Sequence, residues 1–199
     1  MMVRNRKLLA ALALAGALAA IPLIAAGSAP AAAATAAGPS WAIQPGGTLG
    51  FAVSNGNDTI AANFAKWGGT IAFDPDSPGA AAIHIDVDLT SAKIGDGFKD
   101  DLLQGDEFFG TASAPSATYD STSVEAQPDG RFLAHGTLSL HGMKMAQDVE
   151  FRLSGSGAQR HVDGTASIDR LGFGIGTGSH GSDLGGSVAV TFAFDAKRA

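Results

Sequence analysis

The amino-acid sequence predicts an all-β fold of about eight antiparallel strands with one short helix. Apolar residues alternate with polar or small residues in most segments that follow Trp41, which is the pattern of strands with one buried face. Clusters of Gly, Pro, Asn and Asp separate these segments at short intervals, as turns do. The sequence shows no long helical segments of the kind that connect parallel strands. These features are typical of an antiparallel sandwich or a closed barrel.

Residues 82–90 show the clearest alternation and predict a strand with one buried face. That face carries Ile83, Ile85, Val87 and Leu89. The same reasoning predicts strands at residues 48–53, 60–73, 117–120, 132–141, 148–154, 162–168 and 188–194. Residues 142–147 are predicted to be a short connection between two of these strands. Gly68 and Gly69 are expected to mark a bulge or a close approach of two backbones.

One segment departs from the strand pattern and predicts the short helix. Phe98, Leu102 and Leu103 are spaced so that they fall on one side of a helix. Asp96 precedes them and can accept hydrogen bonds from the free amides at the helix start. Gly105 follows them and can end the helix.

Residues 1–34 are predicted to be a signal peptide followed by an Ala-rich linker. Basic side chains occur in residues 1–7, and residues 8–26 are apolar throughout before a run of small residues, which is the order found in secretory signals. Pro22 and the Ala-rich exit favour cleavage, with an uncleaved anchor as the alternative. Several Ala-x-Ala sites leave the cleavage position open. The mature chain is therefore expected to be secreted, with one folded domain at residues 40–196.

The charge of the mature chain argues against a nucleic acid or an anionic membrane surface as its partner. Removing the signal takes three of the 13 Lys and Arg residues and none of the 19 Asp and Glu residues, which leaves 10 minus 19, a formal charge of −9. The chain has no Cys, so no disulfide and no lipidated N-terminal Cys are expected. We therefore expect no stable membrane anchor after signal cleavage. The sequence does not decide between a monomer and a homodimer.

Small residues are frequent in the predicted strands. They include Gly50, Ala52, Ala62, Ala65, Gly136, Ala166 and Ala189. An eight-stranded barrel either fills its interior with side chains or holds one small ligand. Because unfilled voids destabilise a core, a barrel with few bulky fillers is predicted to hold an apolar ligand. Small residues that face outward or permit close sheet packing are the alternative.

Six motifs in order resemble those of a known family. They include residues 63–75 (NFAKWGGTIAFDP), 136–142 (GTLSLHG) and 168–175 (IDRLGFGI), and the others lie at residues 41–51, 83–89 and 102–109. Each motif alone is weak, and their specificity comes from the order of all six. They are similar to the motifs of the YceI-like family of periplasmic, lipocalin-like barrels that bind polyisoprenoid lipids. The chain departs from the family pattern at Ala62, where Gly is usual, and at Gly172, where Asp is usual. His180 stands near the position where many relatives have Trp.

The resemblance implies an eight-stranded antiparallel lipocalin-like barrel in the periplasm, with no catalytic residue. Its partner would be an isoprenoid or other long-chain lipid, with a polyprenyl or quinone-like chain inside the barrel and the polar head near a rim of loops. No metal and no cofactor other than such a lipid is expected. The predicted lining is Phe51, Val53, Trp67, Ile71, Phe73, Ile83, Ile85, Val87, Leu138, Leu140, Phe151, Ile168, Phe173, Val190 and Phe192. Ordinary core packing is the alternative for each of them.

A metal-dependent or stress-related protein with a histidine site and a filled barrel is the alternative function. The five histidines are His84, His135, His141, His161 and His180. None has the spacing of a metal motif, and about 20 Å of strand would separate His135 from His141. Asp169 and Arg170 are expected to form a structural ion pair or a turn device rather than a head-group contact. An apolar tunnel or a filled barrel distinguishes the two functions.

Overall fold

The computed structural model describes residues 38–199 as strands with one α-helix and three short 3-10 turns. The strands are β1 Ser40–Ile43, β2 Thr48–Asn55, β3 Asp58–Phe64, β4 Trp67–Ala72, β5 Ala82–Asp88, β6 Ala92–Lys93, β7 Ser116–Ala126, β8 Arg131–Leu140, β9 Met143–Ser154, β10 Gln159–Asp169 and β11 Leu184–Arg198. The helix is α1 Gly97–Gln104. The predicted signal peptide and linker, residues 1–34, lie outside the described residues. Within residues 38–199, no helix has the length and hydropathy needed to span a membrane.

The eleven strand segments occupy eight positions around a closed antiparallel barrel. β1 and β2 are two parts of one position, because both pair with β11. β3 and β4 form the next position, since β3 pairs with β2 and β4 with β1. β5 and β6 then pair with β4 and β3, and β7 to β11 complete the circle. The prediction of an all-β, eight-stranded antiparallel barrel with one short helix is confirmed.

The strand predicted at residues 60–73 is interrupted at Ala65 and Lys66. At this kink the backbone amides of both residues turn to Ser91, with Ala65 N donating to its carbonyl at 3.2 Å and Lys66 N to its Oγ at 3.0 Å. The predicted close approach lies further on, at Gly69. A Cβ atom there would sit 2.0 Å from the carbonyl oxygen of His84, so this position admits only Gly.

The connection predicted at residues 142–147 is wrong, because residues 143–147 already belong to β9. The turn between β8 and β9 consists of His141 and Gly142 alone, with φ of 52° and 74°. Two successive left-handed residues make the tight turn that matches the twist of a hairpin, so pairing continues to the turn, where Leu140 faces Met143. The His141 Nδ1–H donates to the carbonyl of Phe173 at 3.0 Å. The sequence has no Asn-Gly or Asp-Gly signal at this turn.

Two apolar clusters lie at the two ends of the barrel. The end that carries α1 and the loops at residues 105–115 and 170–183 is called the helix end. Its cluster includes Leu89, Leu103, Phe108, Phe109, Leu138, Leu140, Phe173 and Ile175. At the opposite end, the rings of Phe73, Phe132 and Phe151 have centroids 5.1 to 5.6 Å apart. These three rings close the barrel as an aromatic plug.

A histidine on the outer wall is expected to make stability pH-dependent. His84 contacts Asp120 Oδ1 through Nδ1 at 2.5 Å and Asp86 Oδ2 through Nε2 at 3.0 Å, and the hydrogen bond to Asp120 raises the pKa of His84. A raised folded-state pKa stabilises the protein fully below the unfolded value of about 6.5, and this contribution disappears as pH rises through the folded pKa. We expect His84→Gln to lower Tm slightly in that acidic range, because the group is exposed.

The measurement is Tm of wild type and His84→Gln as a function of pH. The two curves should converge at alkaline pH, where neither side chain is charged. Asp120→Asn serves as the second variant, since it removes the main cause of the raised pKa and should give the same convergence. Curves that stay parallel at all pH values would contradict this account of His84.

Candidate binding cavity

A cavity of about 610 Å³ lies inside the barrel between the two apolar clusters. Side chains from all eight strand positions line it, and nearly all of them are aliphatic or aromatic. Its size is in the range of pockets that hold small molecules, roughly 300–1,000 Å³. The barrel is therefore not filled by its own side chains.

Fourteen of the fifteen residues that the sequence predicts as lining lie on the cavity wall. They are Phe51, Val53, Trp67, Ile71, Phe73, Ile83, Ile85, Val87, Leu138, Leu140, Phe151, Ile168, Val190 and Phe192. All but Phe73 come from the inward faces of strands, where alternate residues point into the barrel, and Phe73 directly follows the end of β4 at Ala72. Their contact with a ligand stays a prediction.

Phe173 is the exception, because it lies outside the cavity wall. Its strand, β10, ends at Asp169, and the chain then turns across the helix end of the barrel. The Phe173 side chain is 2% exposed and packs in the cluster at that end. The backbone has therefore left the inner wall of the barrel before it reaches Phe173.

Several lining residues were not predicted. They include Trp41, Leu49, Ile60, Phe64, Tyr119, Val149, Leu153, Val162, Ala166, Val188 and Phe194. Alternation could have found some of them, since Val149 and Leu153 are in phase with Phe151. No periodic signal marks Phe108 and Phe109, which reach the cavity from the loop after α1.

The small residues inside the barrel mainly leave the space that neighbouring aromatic rings occupy. A Cβ atom on Gly136 would lie 2.5 Å from the ring of Tyr119, and one on Gly164 would lie 2.3 Å from the ring of Phe192. The Tyr119 hydroxyl donates to the carbonyl of Ala134 at 3.0 Å, and burial raises the pKa of Tyr119 to about 12.

The prediction that small strand residues leave a void therefore needs correction. Of the seven residues on which it rested, Ala62, Gly136 and Ala166 alternate in phase with lining residues. Gly50, Ala52 and Ala189 alternate out of phase with them, and Ala65 lies in the kink. The cavity instead lies between the two end clusters, where facing side chains do not meet.

Arg170 organises the loop that covers the helix end between β10 and β11. Its side chain is buried, at 5% exposed. All five N–H groups of its guanidinium donate to backbone carbonyls, at distances of 2.7 to 2.9 Å. The acceptors are Ile175, Gly176, Gly181, Leu184 and Gly185. Asp169 does not pair with it, but accepts from Leu171 N at 3.1 Å, so both residues are turn devices and the ion pair is not formed.

A second contact ties the same loop to the segment after α1. Glu107 Oε1 accepts from the backbone amides of His180 and Gly181 at 2.9 and 3.2 Å, and its Oε2 contacts His180 Nδ1 at 2.8 Å. The hydrogen bond from the His180 side chain is the main cause that lowers the pKa of Glu107. His180 thus packs by an ionic hydrogen bond where the family pattern has an aromatic side chain.

Glu107→Gln is expected to loosen this loop at neutral pH. A lowered folded-state pKa stabilises the protein above the unfolded value of 4.5, and the contribution is lost as pH falls through the lowered folded value. Hydrogen exchange of the amides in residues 177–183 should therefore be faster in the variant at neutral pH. Glu125→Gln, an exposed carboxylate elsewhere, is the control. Equal exchange in wild type and Glu107→Gln at neutral pH would contradict the role of this contact.

The cavity reaches the surface at the helix end. The exposed residues of its lining gather there, and Phe98 is 73% exposed. The others are Lys99, Ser179, His180 and Asp183. Together they form a rim that mixes one aromatic ring with polar groups, and the rim is called the mouth.

Four of the five histidines contact carboxylates on neighbouring elements. His135 contacts Asp148 and His161 contacts Asp195, each at 2.7 Å, in the same manner as His84 and His180. Within residues 38–199, no group of three or more His, Asp or Glu side chains is placed to hold a metal ion. These pairs link adjacent strands and loops.

The chain is similar to known proteins in sequence and in fold. A model of the YceI-like domain matches residues 41–196. Protein YceI of Escherichia coli is 30% identical over 102 residues, which is 51% of this chain and 53% of that protein. A Yersinia pestis relative is 28% identical over the same shares of both chains. The matched segment therefore spans about half the length of these curated relatives.

Solved structures share the fold at low sequence identity. BcnA of Burkholderia cenocepacia has a TM-score of 0.71 and 22% identity over 75% of this chain and 95% of its own. A structure described as a polyisoprenoid binding domain from Saccharophagus degradans has a TM-score of 0.65 and 18% identity over 81% of this chain and 99% of its own. The YCEI protein of Campylobacter jejuni has a TM-score of 0.66 and 19% identity, over 71% of this chain and 86% of its own.

Proposed function

Because this chain belongs to the YceI-like domain family, we propose that it is a non-catalytic binding protein for an isoprenoid-type lipid. The apolar cavity inside the closed barrel is the observation that carries the proposal. A polyprenyl or quinone-like chain would occupy the cavity, and no metal or further cofactor is needed. The solved neighbour that is described as a polyisoprenoid binding domain supports this choice of ligand.

The composition of the wall fits a long hydrocarbon chain. Each methylene transferred from water to an apolar site contributes about 0.8 kcal/mol, so apolar burial alone can supply the affinity. The sum over a polyprenyl chain would exceed the practical limit of roughly 18–21 kcal/mol, and the lost freedom of a flexible chain offsets much of it. Few polar contacts are then required, in agreement with the scarcity of polar side chains on the wall. The open cavity also argues against the alternative of a histidine protein with a filled barrel.

The direct test is native mass spectrometry of protein that has been exported by its own signal. A co-purifying species with the mass of an isoprenoid lipid is expected, and lipid extraction should identify it. Trp41 and Trp67, the two tryptophans of the chain, both line the cavity. Added isoprenoid quinone should therefore quench their fluorescence in saturable fashion. Protein that carries no lipid and binds neither quinone nor polyprenol would refute the proposal.

We also propose that the protein acts after export, in the periplasm or as a secreted protein, and that it binds no nucleic acid. The basic, apolar and Ala-rich order of residues 1–34 supports export, and the acidic charge of the remaining chain supports the lack of a nucleic-acid partner. Cell fractionation and N-terminal sequencing of the mature protein test the location. Recovery of the uncleaved chain from the membrane would contradict it.

A further inference from the structure

The pairing between β9 and β10 stops halfway along the two strands. The ladder runs from His161 opposite Ser154 to Thr165 opposite Glu150 and then ends. On their other sides the same strands stay paired to their ends at the helix end of the barrel, with β9 against β8 and β10 against β11. The unpaired halves, residues 143–149 and 166–169, form a seam in the barrel wall.

The side chain of Gln147 lies across this seam. Its amide nitrogen donates to the carbonyl of Asp148 at 2.8 Å and to the carbonyl of Ser167, on the other strand, at 3.1 Å. One side-chain amide thus takes the place of the missing backbone pairing. Gln147 is in phase with Val149 and Phe151, so it is a polar side chain in an otherwise apolar stretch of wall.

The cavity and a second pocket meet at Gln147. On the inner side, Gln147, Ala166 and Ile168 belong to the cavity wall. On the outer side lies a pocket of about 340 Å³. Its lining consists of Met145, Ala146, Gln147, Asp148, Ser167, Asp169 and Phe173. Gln147 is the one residue that lines both, so a rotation of this side chain would join them.

We propose that the seam is a side opening of the cavity and that the outer pocket holds the polar end of the bound lipid. This inference rests on the proposed lipid-binding function. Met145, which is half-buried, offers apolar surface to the first carbons outside the wall. Gln147 and Ser167 offer hydrogen-bonding groups to a hydroxyl, carbonyl or amine.

The charges of the outer pocket determine which kind of polar lipid end it can bind. Asp148 and Asp169 are its charged groups, and no Lys or Arg of residues 38–199 lines it. Like charges brought together at a binding site are strongly unfavourable. The pocket therefore suits a neutral or cationic end and excludes a phosphate.

Photo-crosslinking locates the polar end directly. The probe is a four-isoprene alcohol with a diazirine next to its hydroxyl, bound to the wild-type mature protein. Label in residues 145–148 and 167–173 is the expected result. Label confined to the mouth, at Lys99 and residues 179–183, would overturn the side opening. Failure of the probe to bind at all would refute the proposed function instead, so the two failures are distinguishable.

A second experiment tests the charge selection. Affinities are measured for otherwise identical isoprenoids that end in an alcohol, an amine or a phosphate. We expect the double variant Asp148→Asn with Asp169→Asn to gain about tenfold in affinity for the phosphate relative to the alcohol. Asp163→Asn with Asp195→Asn, which changes the net charge equally on the outer wall away from the seam, is the control. An equal gain in both double variants would overturn the assignment of the polar end to this pocket.

Discussion

Replacement of Arg170 by Met is expected to lower the free energy of unfolding by about 3–5 kcal/mol, because it leaves a buried set of acceptors without donors. Five backbone carbonyls of one loop depend on this guanidinium. Met is similar in length and apolar, so the loss comes from the hydrogen bonds rather than from a cavity. Urea denaturation followed by circular dichroism gives the change in free energy if unfolding is two-state.

Arg170→Lys tests whether the positive charge of Arg170 or the geometry of its hydrogen-bond donors stabilises the loop. Lys keeps the positive charge but has three donors on one nitrogen, whereas Arg presents five in a planar fork. We expect an intermediate stability for Arg170→Lys, with faster hydrogen exchange throughout the loop at residues 171–183. Wild-type stability in Arg170→Met would show that water or a rearranged loop satisfies the carbonyls.

The second large effect is expected on binding. Val190→Trp places an indole at the middle of β11, where Val190 lies between Phe51 on one neighbouring strand and Ala166 on the other. The cavity has room for the ring, so the barrel should fold, but the ring occupies the volume of the lipid chain. We expect affinity for an isoprenoid to fall about a hundredfold, a loss of roughly 2.7 kcal/mol.

Thr191→Trp is the matched control for this variant. It adds the same side chain one residue further along β11, on the exposed outer face, and should leave binding unchanged. Native mass spectrometry of the loaded fraction suits this comparison, because the added tryptophan changes the fluorescence of both variants. Equal lipid loading of Val190→Trp and wild type would contradict the assignment of the cavity as the binding site.

The alternation of apolar residues was enough to predict most of the strands and part of the cavity wall. Ile83, Ile85 and Val87 follow each other at a spacing of two, and a barrel turns such a spacing into one inward face. Phe173, which the family resemblance implies as a lining residue, lies outside this inward face, because β10 ends at Asp169. The alternation missed the first half of β9, where Met143 and Met145 follow a turn with no recognisable turn sequence.

The contacts that hold the loop over the helix end could not be predicted from local sequence patterns. Glu107 and His180 are separated by 73 residues in the chain, and only the closed barrel brings them together. Arg170 donates to backbone carbonyls whose positions depend on the whole loop. Every residue has such a carbonyl, so the sequence does not mark the acceptors. The seam depends on where one ladder stops, which is set by the twist and stagger of the barrel.

The closure of the barrel has a consequence for how the chain folds. The closing strand, β11, follows all the other strands of residues 38–199, and among them it is the one that joins β10 to β2 and β1. A chain that is synthesised or translocated with its N-terminus first therefore remains an open sheet until residues 184–198 arrive. During that time two long edges are exposed and can pair with another chain. Folding requires contacts between the two ends of the domain, so we expect it to be slow for the size of the protein. We also expect the open sheet to need a chaperone until β11 is available for pairing.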